Sequence, residues 1–271
     1  CDLLNPAAQN LTASGGDNCA ALSDQNFGRA VFSNTIDPDV LQGWGVRSGD
    51  WGLGASIQQE VLPRVSIEAG YYRRWLVNFT VSDNRLVTAE NFDPFQITAP
   101  SDPRLPGGGG HTIANLYNVT GSLFGRTDNL VTAADRFGTQ SQTYNGMMLN
   151  VTARPRNGLT IQGGVNAGKT VMDNCEVREV LRELGPTNPY CHNDPGLVTR
   201  VSGLASYTIP TVDVLLSGTF PSDQGLPLSA NYAVPAAAVV PSLGRPLAGG
   251  APNVVVNLLA PGDRWGDRVN E

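Results

Sequence analysis

The sequence predicts an all-β protein of antiparallel up-and-down strands, with short turns at one end of the sheet and long loops at the other. Three observations carry this. Apolar and polar residues alternate with period 2 in seven stretches, the signature of strands with one apolar face. Glycine and proline are abundant, 31 and 19 of 271 residues, which disfavours long helices. Short and long connections also take turns along the chain.

The first run is Trp51, Leu53, Ala55 and Ile57, alternating with Gly52, Gly54, Ser56 and Gln58. The second is the longest. From Val65 to Val81 the odd positions read Val, Ile, Ala, Tyr, Arg, Trp, Val, Phe, Val, with Arg73 the one polar member. The even positions, from Ser66 to Thr80, are mostly polar or small. An ordinary strand has about 5–6 residues, so a run of this length is unusual for a small sandwich. The third and fourth runs, Met147–Ala153 and Leu159–Ala167, flank Pro155-Arg156-Asn157-Gly158, where Asn-Gly suits a tight hairpin. The fifth and sixth, Val201–Ile209 and Val212–Phe220, meet at Pro210-Thr211. A seventh, Val254, Val256 and Leu258, is short. Leu62-Pro63-Arg64 joins the first two. The remaining connections are long, roughly residues 82–142, 171–196 and 221–252, and loops beyond about 15 residues are uncommon in a compact domain.

This one-sided arrangement matches a transmembrane β-barrel, with short periplasmic turns and long extracellular loops. In such a barrel the apolar alternate faces lipid, the other faces a wet lumen, and every strand is paired. Tyr71, Trp75 and Phe79 then form part of an interfacial girdle. Arg73 is the misfit, costing about 2–4 kcal/mol near the bilayer midplane, so it is expected near an interface. Seven strands do not close a bacterial barrel, so either the chain is part of a large outer-membrane β-barrel or the barrel reading is wrong. Residues 1–48 are expected to form an extracellular loop region with a local disulfide, and residues 49–271 the strands with their long loops.

Composition excludes other classes. Charged residues are 15% and the net charge is −6, with Lys169 the single lysine. That balance disfavours a nucleic-acid partner. A hydrophobic content of 41% argues against disorder, and no run of about 18 apolar residues marks a membrane helix.

Four cysteines, Cys1, Cys19, Cys175 and Cys191, leave three pairings open. The local pairing, Cys1 with Cys19 and Cys175 with Cys191, closes two loops of similar size in polar stretches. It implies an oxidising compartment; a lipidated Cys1 is the rival reading. No Cys-x-x-Cys pair and only His111 and His192 leave a zinc site without a ligand set. No metal or cofactor is expected; Ca²⁺ at Asp37 and Asp39, or at Asp83 and Asn84, is weighed against capped turns. Gly107–Gly110 lacks the Lys-Ser/Thr of a phosphate-binding loop and reads as a flexible loop. No Gly-x-Ser-x-Gly elbow occurs, and no catalytic residues are assigned. Trp44, Tyr117 and Tyr190, in loops, are the candidate ligand-contact aromatics, with loop packing as the alternative. Asn10, Asn78, Asn118 and Asn150 open Asn-x-Thr sequons; Asn78 and Asn150 fall in strands facing the presumed lumen.

Several stretches resemble the C-terminal half of TonB-dependent-receptor-like outer-membrane proteins, the group with an N-terminal carboxypeptidase-regulatory-like domain found in acidobacterial and other environmental genomes. They include Asp37-Pro38-Asp39-Val40-Leu41-Gln42-Gly43-Trp44-Gly45-Val46-Arg47, Leu62-Pro63-Arg64-Val65-Ser66, Gly70-Tyr71-Tyr72-Arg73-Arg74-Trp75 and Asp102-Pro103-Arg104-Leu105-Pro106-Gly107-Gly108-Gly109. Asp173-Asn174-Cys175-Glu176, Pro189-Tyr190-Cys191-His192, Ser206-Tyr207-Thr208-Ile209-Pro210 and Ser242-Leu243-Gly244-Arg245-Pro246-Leu247 continue it. The resemblance implies a barrel of about 22 strands with a plug, the class of plugged outer-membrane transporters. It implies a bacterial outer-membrane, cell-surface location, contact with lipid, and uptake of an unknown small ligand energised through a TonB system that N-terminal parts outside this sequence would engage. Two other readings stand beside it: an extracellular β-rich structural protein that self-associates through strand edges, and a secreted β-sandwich binding module or hydrolase.

Overall fold

The computed structural model describes residues 34–262 and 269–270. The chain divides into two compact units, residues 1–35 and 36–271, and the second holds all the elements described below. Cys1, Cys19 and Asn10 lie outside the described residues.

Six long strands form one antiparallel meander: β1 (Gly49–Leu62), β2 (Val65–Val77), β3 (Ser141–Arg156), β4 (Leu159–Asp173), β5 (Val198–Ile209) and β6 (Val214–Asp223). Each pairs with the next along the chain. The all-β, up-and-down expectation therefore holds. Three short turns close one end, and each finishes on a residue with positive φ: Arg64 (66°), Gly158 (76°) and Asp213 (51°). Such a residue turns the chain sharply enough to return along the same ladder. Gly158 takes the conformation without strain; Arg64 and Asp213 adopt it with a side chain in place.

The register puts the apolar alternates of all six strands on one face. Leu53 lies opposite Arg73, and Ala55 opposite Tyr71. Tyr71 faces Met147, and Ala69 faces Leu149. Leu149 faces Val165, Val165 faces Val201, and Tyr207 faces Leu216. Among the described residues nothing covers this face. Trp51, Ile57, Leu149 and Phe220 keep 65, 69, 48 and 50% of their surface accessible. The opposite face carries Glu68, Asn150, Gln162, Asn166 and Ser202, with Arg74 paired to Asp50 at 2.7 Å. Glycines are concentrated there for a packing reason. Tyr72 lies across Gly54 and Gly70, and Tyr144 lies across Gly146 and Gly168, where a Cβ would meet the rings.

Two expectations need correction. The second run is not one strand of seventeen residues. β2 ends at Val77, Asn78 turns at φ 56°, and Thr80–Asn84 pairs with Asn129–Ala133 in a separate sheet. The seventh run is not a seventh strand of the large sheet. Asn253–Asn257 forms a hairpin with Asn231–Pro235. Its alternation is genuine, since Val256 is fully buried and Val255 is 52% exposed. Period 2 reports one-sided burial and does not say which sheet supplies the cover.

The hydrophobic core lies in the long loops. Phe95, Ile97, Leu105, Ile113 and Leu116, around the hairpin Phe92–Thr98/Thr112–Val119, pack with Val234, Val239, Leu243, Leu247, Val256, Leu258 and Leu259. A second cluster joins Val81 and Ala134 to Val177 and Leu181. Polar bonds link the same segments. Arg245 reaches Asp93 Oδ2 (2.8 Å) and Asn118 Oδ1 (2.8 Å). Tyr117 N–H donates to Pro186 O at 2.7 Å, and Tyr190 Oη–H donates to Leu258 O at 3.1 Å. The three long connections are thus one interlocked cap.

Cys175 and Cys191 are disulfide-bonded, with Cα atoms 4.8 Å apart, as the local pairing expects. The bond closes the turn that Arg178 fills by donating to the carbonyls of Gly185, Asn188 and Tyr190. Cys175→Ser with Cys191→Ser is expected to speed proteolytic cleavage within residues 176–190 and leave β1–β6 intact. Limited proteolysis with mass mapping checks this.

Candidate functional site

Where the cap meets the sheet there is an open cleft of about 710 Å³, lined by Asp39, Val40, Gly45, Val46, Asn78, Phe79, Asp135, Thr139 and Gln140 among others. Its walls are set by short-range chemistry. Asp37 caps the helical turn Pro38–Leu41 by accepting from Asp39 N–H at 3.0 Å. It also accepts from Thr132 Oγ1 at 2.7 Å and pairs with Arg136 at 2.8 Å. These donors, led by the Asp39 amide, hold its carboxyl below the usual carboxylate range. Arg136 bridges to Asp39 at 2.9 Å. Asn78 Nδ2 donates to Gly45 O (2.5 Å) and Arg47 O (2.9 Å), fixing the 45–47 segment over the end of β2. Gly138 (φ 148°) lets its segment approach the helix Cys175–Val180, since a Cβ would stand 2.7 Å from Glu176 Cβ.

The three candidate aromatics are not brought together. Trp44 precedes the cleft-lining Gly45 and is fully exposed, at 102%. Tyr117 sits beneath Arg182, whose guanidinium carbon is 4.5 Å from the ring centroid. Tyr190 is tied to Leu258. Loop packing therefore employs two of them, and Trp44 alone projects free of the surface. The Asp37–Asp39 pair is engaged in capping and with Arg136. Asp83 and Asn84 lie beside the Arg85–Asp128 pair (2.6 Å).

The contact between Asn84 and Glu183 had no signal in the sequence, because the residues are 99 apart. Glu183 Oε1 accepts from Asn84 N–H at 3.3 Å, and its Oε2 is buried without a hydrogen-bond partner. Burial pushes this carboxyl above its ordinary value, and the charge of Asp83 pushes the same way. Burial also raises Asp83. A raised carboxyl binds its proton more tightly in the folded state, so keeping Glu183 buried costs less as pH falls toward the carboxylate range and more as pH rises through the folded pKa. Glu183→Gln is expected to raise hydrogen-exchange protection of residues 174–197 at neutral pH and to flatten its dependence on pH.

Arg73, the misfit of the apolar face, lies near the cap-side end of β2 with its guanidinium carbon 5.8 Å from the Trp75 ring centroid. That is within cation–π range.

No protein-family model, curated protein or solved structure matches this chain. What the fold itself defines is an all-β antiparallel sheet with one exposed apolar face, one polar face and a packed cap of long loops at one end.

Proposed function

We propose that the chain is part of an outer-membrane β-barrel of the TonB-dependent-receptor type, whose loop cap binds or admits a small ligand without covalent chemistry. The observation that carries this is the uncovered apolar face running across six consecutive strands. An exposed apolar surface of this extent in water is an aggregation hazard; against lipid it is the favourable state. Its height fits. Val65 to Trp75 spans ten residue steps, about 33 Å along the strand, or about 25 Å after a barrel-like tilt of about 40°, the height of a barrel's apolar band. Trp51 and Trp75 face one another at the cap end, and Tyr207 stands at the turn end, as interfacial girdles do. The outer edge of β1 has no strand beside it among the described residues, and a barrel supplies one. The cleft beneath the cap, with Asp39, Asp135 and Gln140 at its wall, offers hydrogen-bonding groups to a polar ligand entering from the loop side.

Cell fractionation tests the reading. The native protein is expected in the outer-membrane fraction, resistant to alkaline washing and released only by detergent. A soluble, monodisperse protein without detergent would overturn it.

A further inference from the structure

At the short-turn end, opposite the cap, Arg64, Arg154 and Arg156 line one open cleft of about 520 Å³ with Asn157, Leu159 and Thr160. Three cations sharing one concavity repel unless an anion joins them. Among the described residues none of the three has a carboxylate within ion-pairing distance. Glu60, just before the turn, is turned to the Arg64 backbone N–H at 2.7 Å. Arg64 Nη1 donates to the neutral Asn157 Oδ1 at 3.5 Å. Asp213 stands on the neighbouring turn.

The backbone fixes the cluster. Arg154 N–H donates to Arg64 O at 2.9 Å, which locks the β3 end of one hairpin against the turn of the other. The guanidinium carbon of Arg156 lies 4.4 Å from the Tyr207 ring centroid, so this cation is held at the end of the apolar face. Val65, Val151 and Ile161 continue that face away from the cleft. Guanidinium forks match phosphate oxygens bidentately. Arg154 and Thr160 belong to the polar alternate, and Arg156, past the register shift, stands against Tyr207 on the apolar one, so the cleft wraps the turn end with the apolar surface at one rim.

We propose that this cleft seats the phosphate of an anionic glycerophospholipid, with its acyl chains laid along Val65, Val151 and Ile161. The inference rests on the reading that the apolar face meets lipid, and adds which lipid chemistry the turn end selects. The phosphate group is the shared chemistry of lipid and free phosphate; the apolar rim is what favours the lipid.

The test uses the complete native protein in phosphatidylcholine vesicles carrying spin-labelled phosphatidylglycerol or spin-labelled phosphatidylcholine. Electron paramagnetic resonance reads the fraction of label immobilised at the protein. Labelled phosphatidylglycerol is expected to be retained preferentially, the preference falling with salt and dropping about fivefold for each of Arg64→Gln, Arg154→Gln and Arg156→Gln. Arg74→Gln, on the polar face and paired to Asp50, is expected to leave it unchanged. Equal retention of both labels by a properly inserted protein would overturn the selection of an anionic lipid at this cleft and leave the barrel standing. Loss of the preference on adding inorganic phosphate at constant ionic strength would assign the cleft to soluble anions and overturn the lipid assignment. Failure to insert into either vesicle would overturn the barrel reading, and this inference with it.

Discussion

Leu149→Arg is expected to cost about 2–4 kcal/mol of folding stability in a bilayer, the range for a cation at the midplane of a barrel's lipid face. Leu149 is central on the apolar face, between Ala69 and Val165, and 48% exposed with only protein around it. In a soluble sheet, an arginine at so exposed a position would shift stability by no more than about 0.5 kcal/mol. Asn150→Arg, one residue on and on the polar face beside Glu68, is expected to be nearly neutral. The pair separates the two faces by one step along the chain. Urea titration of folding into lipid vesicles, followed by gel mobility before and after heating, checks it. Equal, small effects at both positions would mean that neither face meets hydrocarbon.

Leu116→Ala is expected to cost about 2–5 kcal/mol, the range for emptying a fully buried leucine site, and to cost it locally. Leu116 has no accessible surface and belongs to the cluster that joins the 92–119 hairpin to the 231–259 segment. The large sheet contributes nothing to that cluster. Hydrogen exchange is expected to show lost protection in both loop segments and unchanged protection in β1–β6. Uniform loosening of the sheet would contradict the division of the structure into a capped end and a lipid-supported sheet.

The large sheet was legible because its signal is local. Alternation from Trp51 to Ile57 and from Val65 to Trp75 reports which residues share a face, and the turn chemistry of Pro63, Asn157-Gly158 and Pro210 marks where strands reverse. The same alternation misled at Val254–Leu258, because that hairpin buries its apolar side against loop residues instead of joining the sheet. The break at Asn78 was hidden too. An asparagine in an alternating run looks like a lumen-facing polar residue, while its role is to turn the chain and hold Gly45 and Arg47.

The cap was not legible beyond its cysteines. Its core is assembled from Leu116, Val234, Leu243 and Val256, scattered over about half the chain in stretches rich in glycine and proline. No period marks residues whose cover comes from distant segments. The Arg245 contacts to Asp93 and Asn118 and the Glu183 contact to Asn84 span 152, 127 and 99 residues. Of the candidate aromatics, sequence position alone gave no way to separate Trp44, which projects, from Tyr117 and Tyr190, which are engaged in packing. The turn-end arginines were visible as residues, but their convergence depends on Arg154 bonding to Arg64 across ninety positions.

The central claim is that the apolar face lies against lipid, and Trp51 and Trp75 report on it directly. The difference in emission between the native protein and its Trp51→Phe, Trp75→Phe variant isolates these two paired tryptophans. In vesicles of brominated phosphatidylcholine their emission is expected to be quenched strongly, most by bromines near the headgroup end of the acyl chains, and to be insensitive to aqueous iodide. Emission unaffected by brominated lipid and quenched by iodide would contradict the account.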